Sequence, residues 1–251
     1  MLNPRSRLVA VLLWALSLTA GPAVAGEARI AVAANFTEPA QVLAARFRTR
    51  TGHRVTLSFG SSGQLYGQIA NGAPFDAFLS ADAERPLRTE AEGLAMVGAR
   101  FTYATGRLVL FSRTPGLVDA KGAVLAKGGF EKLAIADPRT APYGRAAIET
   151  LASLKVDGRL RTRLVTGASI TQAYQYVQTG AAELGFVALS QVVNTPGGSR
   201  WIVPAARHAP IDQQAVLLKT GADNTAAKAF LIFLKSREAK AIIRRYGYEA
   251  G

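Results

Sequence analysis

The chain is expected to fold as an α/β protein built around a substantial hydrophobic core. Three observations predict this. Short apolar or β-branched runs alternate with amphipathic segments along the sequence. There is no cysteine, so no disulfide framework can stand in for a core. Beyond the first 25 residues about 225 remain, enough to bury a large interior.

The first 25 residues read as a signal peptide. Arg5 and Arg7 form a basic start, Leu8–Ala20 is apolar, and Ala23-Val24-Ala25 is a small-residue cleavage site before Gly26. The apolar run is shorter than the ~20 residues a membrane span requires. Export is therefore expected. No cysteine follows the signal to carry a lipid, so a soluble protein that is not a lipoprotein is expected.

Strands are expected at 29–33, 55–59, 77–80, 107–111, 133–136, 183–187, 200–203 and 213–218, each short, apolar and bounded by turn residues. Helices are expected over 37–50, where Ala40, Leu43, Ala44 and Phe47 share a face ahead of Gly52, and over 145–155, 170–178, 225–234 and 238–246. Such alternation implies βαβ units and mostly parallel sheets, whose ligand sites lie beyond the carboxyl ends of the strands. The segments in that position are 34–37, 60–63, 137–144 and 167–171. No internal repeat or low-complexity linker divides the chain.

The most informative stretch is Phe59 to Asp82, FGSSGQLYGQIANGAPFDAFLSAD. A strand runs through Gly60-Ser61-Ser62-Gly63 directly into a helix that carries Leu65 and Ile69 on one face and ends at Asn71-Gly72. Hydroxyls and N–H groups of such a turn converge, and the positive end of the helix dipole adds to their field. The turn is an anion seat without a charged side chain. Ser61 or Ser62 could equally serve as an ordinary N-cap.

The formal charge is +13, falling to +11 when Arg5 and Arg7 leave with the signal. Lysine and arginine are dispersed rather than clustered, and export removes the protein from nucleic acid, so no nucleic-acid partner is expected. The positive field could steer a small anion or simply maintain solubility.

The words Ala33-Ala34-Asn35-Phe36, the Ser-Ser turn with Gly72-Ala73-Pro74-Phe75-Asp76, Asp137-Pro138 with Pro142-Tyr143-Gly144, Leu184-Gly185-Phe186-Val187 and Arg245-Tyr246-Gly247-Tyr248 occur in an order and spacing that resemble the periplasmic molybdate-binding proteins, the solute receptors of molybdate ABC transporters. The resemblance covers nearly all of the chain after the signal. It implies the two-lobe periplasmic-binding-protein type II fold with two crossover strands at a hinge, crossing near 105–107 and 210–213. It divides the chain into a first lobe of 26–106 plus 212–251 and a second of 107–211. It also implies a periplasmic, monomeric receptor that is not membrane-embedded. Its ligand would be a tetrahedral oxyanion, molybdate or tungstate, bound without a cofactor or directly ligated metal, and its partner the permease of an ABC transporter.

Carried over by position, the resemblance implies four ligand contacts. Asn35 stands where many relatives have serine; it could alternatively cap a helix, with Glu38 completing a capping box. Ser62 can donate through both hydroxyl and N–H. Tyr143 would act through its backbone N–H, its ring serving as a lid or as packing. Ile170 would also act through its N–H, and its side chain otherwise reads as core. One departure stands out: the family often places a tyrosine hydroxyl where this chain has Ala188, and the longer amide of Asn35 is the expected compensation.

None of the four positions is acidic, which favours fully deprotonated molybdate, tungstate or sulfate over phosphate, whose retained proton needs an acceptor. Asp137 lies close in sequence but is expected to cap its own turn. An alternative ligand is sulfate, thiosulfate or a small carboxylate, for which Arg145 is the available bidentate partner. Catalysis is not expected: the only histidines, His53 and His208, lie in no metal-ligand pattern and there is no thiol nucleophile.

Overall fold

The computed structural model describes residues 25–250. The signal-peptide reading therefore falls outside the described residues, save for Ala25. Among the described residues ten strands form two five-stranded sheets. They are β1 (Glu27–Ala33), β2 (Arg54–Gly60), β3 (Ala77–Ser80), β4 (Phe101–Gly106), β5 (Leu108–Ser112), β6 (Leu133–Ala136), β7 (Leu164–Gly167), β8 (Leu184–Ala188), β9 (Ser199–Ile202) and β10 (Ile211–Leu217). The first sheet has the order β2-β1-β3-β10-β4 and the second β7-β6-β8-β5-β9.

Each sheet is the centre of one lobe. The chain leaves the first sheet at Arg107, between β4 and β5, and returns through 203–210 to β10. Parallel pairing is confined to β2-β1-β3 and β7-β6-β8. The strands next to the crossings run the other way: β10 is antiparallel to β3 and β4, and β5 to β8 and β9. The sheets are thus mixed, because a strand entering from the opposite lobe arrives in the reverse direction.

Local sequence explains the elements that frame the site. The helix Thr37–Thr51 buries Ala40, Leu43 and Phe47 and stops at Gly52, whose φ of 75° is the left-handed conformation of a helix C-terminus. Phe47 meets Phe230 edge-on at 5.3 Å between ring centroids, inside a core that also holds Ile30 and Phe36. The second lobe packs Leu108, Leu110, Ile135 and Phe186. Each such buried side chain contributes about 1.5–3 kcal/mol of transfer free energy.

Two strands, one eight-residue helix and the one-turn helices Val124–Lys127, Asp157–Leu160 and Leu189–Val192 depart from the sequence reading. β4 and β7 lie where no strand is expected, and Glu84–Ala91 forms a helix. The helix expected from Arg145 starts instead at Pro142, with proline at its first position, where no N–H is needed.

Candidate functional site

Four strands deliver their carboxyl ends to one place. β1 runs into the 3-10 turn Ala34–Phe36, β2 into the helix Ser62–Ala70, β6 through a loop into Pro142–Ser153, and β7 into Ile170–Thr179. All four sequence-predicted residues, Asn35, Ser62, Tyr143 and Ile170, line a single small cavity between the lobes. Each stands in the first turn of its element, where backbone N–H groups have no intrahelical acceptor. The dipoles of the three α-helices add positive potential at that point.

The two serines divide the possible roles. Ser61 is the N-cap: its hydroxyl accepts the Gln64 N–H at 3.4 Å and the Gln64 side chain returns to the Ser61 N–H at 3.3 Å, a complete capping box. Ser62 is released from capping. Its Oγ accepts the buried Ala81 N–H at 2.9 Å, which fixes the rotamer and leaves the hydroxyl proton free to donate. At the start of Ile170–Thr179 the cap is Ser169, so the Ile170 N–H is likewise free of its cap.

Asn35 does not cap. The helix behind it starts at Thr37 after Phe36, without a side-chain cap. Instead the buried Asn35 amide donates both protons elsewhere, to Gln213 Oε1 at 2.8 Å and to the Tyr248 hydroxyl at 2.9 Å. The expected compensation for Ala188 is therefore not made in this arrangement, since the amide protons are already taken. Ala188 itself is buried at the end of β8 and is not one of the cavity's lining residues.

The Tyr143 ring is packing rather than a lid. It is buried beside Gly106, where any Cβ would fall on its hydroxyl, and Gln213 Nε2 approaches that hydroxyl at 3.5 Å. Burial pushes the Tyr143 and Tyr103 phenols well above their ordinary pKa and raises that of Tyr248. All three are neutral at physiological pH.

Sequence reasoning missed the polar cluster beneath the cavity. Tyr103 donates to Gln213 Oε1 at 3.1 Å, and Tyr248 and Ser190 both donate to the Asn35 carbonyl, at 2.7 and 2.8 Å. One signal was visible. In Ile211-Asp212-Gln213-Gln214-Ala215, strand alternation puts Gln213 on the inward face with Ile211 and Ala215, and a polar residue there demands partners.

The lobes are in contact around the cavity. The Gly63 N–H donates to the Thr140 carbonyl at 2.8 Å, Thr171 Oγ1 to the Ala34 carbonyl at 3.2 Å, and Arg145 pairs with Glu84 at 3.0 Å. Glu84 sits below the usual carboxylate pKa because of its hydrogen bond from Arg145. Among the described residues no charged side chain lines the cavity. Arg85, beside the Ser61–Gly63 turn, is neutralised by Asp82, and Asp137 bonds Arg139 rather than facing the cavity. Among the described residues no cluster of histidine, cysteine, aspartate or glutamate could hold a metal ion. His53 accepts the Gly26 N–H and His208 meets the Ala209 carbonyl, both away from the site.

The bacterial extracellular solute-binding protein family model matches residues 28–249. The chain is 58% identical over 237 residues to molybdate-binding protein ModA of Rhodobacter capsulatus, covering 93% of this chain and 94% of that protein. It is 52% identical to the protein of the same name from Azotobacter vinelandii, over 97% of each. In three dimensions it resembles an Azotobacter vinelandii periplasmic molybdate-binding protein with a TM-score of 0.87 and 43% identity, covering 89% of this chain and 99% of the other.

Proposed function

Because the chain belongs to the bacterial extracellular solute-binding protein family, and within it to the molybdate-binding proteins, we propose that it is a non-enzymatic receptor that binds molybdate between its lobes and delivers it to an ABC transporter. The observation that carries the reading is the convergence of four first-turn backbones and one free hydroxyl on a cavity with no charged side chain. Such a site offers donors and no carboxylate. It suits a dianion without a proton and gives no carboxylate to the proton that phosphate retains. Asn35, Ser62, Tyr143 and Ile170 are the proposed contacts, with tungstate, of the same shape and charge, as a second ligand.

The energies are sufficient. Hydrogen bonds to a charged partner contribute about 1.5–3 kcal/mol each. Five or six sum to about 8–18 kcal/mol, a range that covers the ~8–11 kcal/mol of micromolar to tens-of-nanomolar binding and at its upper end leaves a margin for closure.

The proposal places the hinge between lobes of 26–106 plus 212–251 and 107–211, and the receptor in the periplasm as a monomer. Support for the location comes from the signal-like first 25 residues. Among the described residues no helix is long and apolar enough to cross a membrane.

The test is a thermal-shift panel on oxyanion-free protein, because a ligand that binds only the native state raises stability by mass action. Molybdate and tungstate should raise Tm and phosphate should not. Equal shifts with phosphate or sulfate, or none with molybdate in tenfold excess, would overturn the assignment.

A further inference from the structure

Lysine and arginine are dispersed along the sequence, but the fold gathers them. Three helices, Thr37–Thr51, Thr225–Leu234 and Arg237–Arg245, cover one face of the first sheet and share its core, where Leu43, Phe47, Phe230 and Ile242 pack with Ile30. The first and third run antiparallel. Arg50 pairs with Glu238 at 3.3 Å at one end, and the Tyr248 hydroxyl donates to the Asn35 carbonyl at 2.7 Å at the other.

The outward side of this layer is cationic. Thr37–Thr51 exposes Arg46, Arg48 and Arg50, and Thr225–Leu234 with the turn after it exposes Lys228 and Lys235. The third helix exposes Arg237, Arg244 and Arg245, with Lys240 half-buried beside them. Glu38 and Glu238 are the only acidic residues in 37–51 and 225–245. Nine cations against two acids leave +7 in these segments, out of +11 for the chain after the signal. Among the described residues Arg50 alone of the nine has an ion-pair partner.

Folding does not account for the arrangement. Arg48, Arg50, Arg244 and Arg245 suit the carboxyl ends of their helices, but Arg237 stands in a first turn, where the dipole disfavours a cation. Like charges in one layer also repel. The anion cavity does not account for it either: Arg50 lies roughly 20 Å along the helix axis from Thr37, the end nearest the site. Within the layer the one exposed large apolar residue is Ile232, 71% exposed, with Lys228 and Lys235 on the same helical side.

A single small anion needs donors that converge on a point, whereas cations spread over three helices suit an extended anionic surface. A protein partner is gripped by aromatic anchors in packed pockets, and this layer exposes no aromatic ring. An apolar residue between long basic arms is the chemistry of attachment to a lipid interface. We propose that this face of the first lobe binds the surface of a bilayer bearing anionic phospholipid headgroups. The cations meet the phosphates, and Ile232 dips between them. The inference rests on the periplasmic location proposed above and not on the identity of the ligand. Attachment is peripheral and reversible, and it keeps the receptor beside the membrane in which its transporter lies.

The test is flotation of the exported protein with liposomes of phosphatidylglycerol and phosphatidylethanolamine, and with liposomes of phosphatidylcholine alone. Binding should occur to the first and not the second, and should fall as salt screens the attraction. Each cation removed should weaken partitioning about fivefold. Arg48→Glu with Arg237→Glu and Arg245→Glu should therefore weaken it more than about a hundredfold. The same change of charge on the second lobe, Lys121→Glu with Lys132→Glu and Arg161→Glu, should leave most of the binding in place. Ile232→Asn should reduce the binding that persists at high salt. Equal loss in the two triple variants would reduce the effect to net charge and overturn the proposal, as would equal binding to phosphatidylcholine or none to the anionic liposomes. Binding through this face to the permease in neutral detergent, with none to liposomes, would overturn it in favour of a protein partner. Molybdate calorimetry on the same samples keeps the two readings apart. Affinity should be unchanged in both triple variants. Failed flotation with molybdate binding intact would remove the lipid surface alone, and absent molybdate binding in the unaltered protein would remove the molybdate reading alone.

Discussion

The Gly63 N–H donates to the Thr140 carbonyl at 2.8 Å, joining the turn that carries Ser62 to the loop that leads to Tyr143. A Cβ on Gly63 would stand 2.9 Å from both the Thr140 Cα and its carbonyl oxygen, backbone atoms that cannot swing aside. Gly63→Ala should therefore leave each lobe folded and obstruct their approach. Overpacking of this kind costs about 1–3 kcal/mol, which appears as a roughly 5- to 150-fold loss of molybdate affinity. Calorimetry checks the affinity, and X-ray scattering should show a larger radius of gyration with ligand than the unaltered protein has.

The adjacent serines should separate stability from binding. Ser61→Ala removes an N-cap and should lower folding stability by about 1 kcal/mol with affinity nearly unchanged. Ser62→Ala should weaken binding by about 1.5–3 kcal/mol, the value of a hydrogen bond to a charged partner. It also strips the buried Ala81 N–H of its acceptor, so some stability is lost as well. Chemical denaturation beside calorimetry resolves the two. Equal affinity in both variants would remove Ser62 from the site.

The Arg145–Glu84 pair spans the cleft at 3.0 Å but is largely solvent-exposed, so Glu84→Gln should reduce affinity by less than about fivefold, and less at high salt. Its carboxyl pKa is lowered by Arg145, so the pair's contribution is present above the ordinary glutamate pKa and is lost as pH falls through the lower, paired value. Affinity measured in Glu84→Gln and the unaltered protein should converge on acidification.

Alkaline stability should report the buried phenols. Tyr103, Tyr143 and Tyr248 have raised pKa values through burial. Their contribution is full below the ordinary tyrosine value of ~10 and is lost as pH climbs beyond it towards the folded-state values, because only the unfolded chain ionises there. Melts between pH 9 and 11 should fall steeply. Tyr248→Phe should fall less steeply from a lower starting point, having lost one titrating phenol together with its bonds to Asn35 and Ser190.

Much of this architecture is legible in the residues, and the gaps have physical causes. The strand-to-helix turns show because capping serines, proline and apolar periodicity all act locally. β4 hides because Phe101-Thr102-Tyr103-Ala104-Thr105-Gly106 mixes polar residues into its alternation, and β7 because only four residues form it, half of them partly exposed. The helix 84–91 hides because Pro86 looks like a breaker, although in a first turn it costs no hydrogen bond, and because its one large apolar residue, Leu87, is 53% exposed. Asn35, Ser62, Tyr143 and Ile170 could be placed by resemblance. The cluster of Tyr103, Ser190, Gln213 and Tyr248 could not, since its members come from opposite ends of the chain and meet only through the sheet order.

Gly106 holds the Tyr143 hydroxyl in the space its missing side chain leaves, at the point where the chain departs for the second lobe. That notch lets the Tyr143 ring of the second sheet's lobe close onto the last strand of the first sheet. A methyl group there would act as a doorstop, keeping the two halves ajar without unfolding either. Such a protein would capture its cargo as quickly as before and fail to retain it. A shorter dwell time at an unchanged speed of capture is therefore the expected result of Gly106→Ala, and stopped-flow binding reads both.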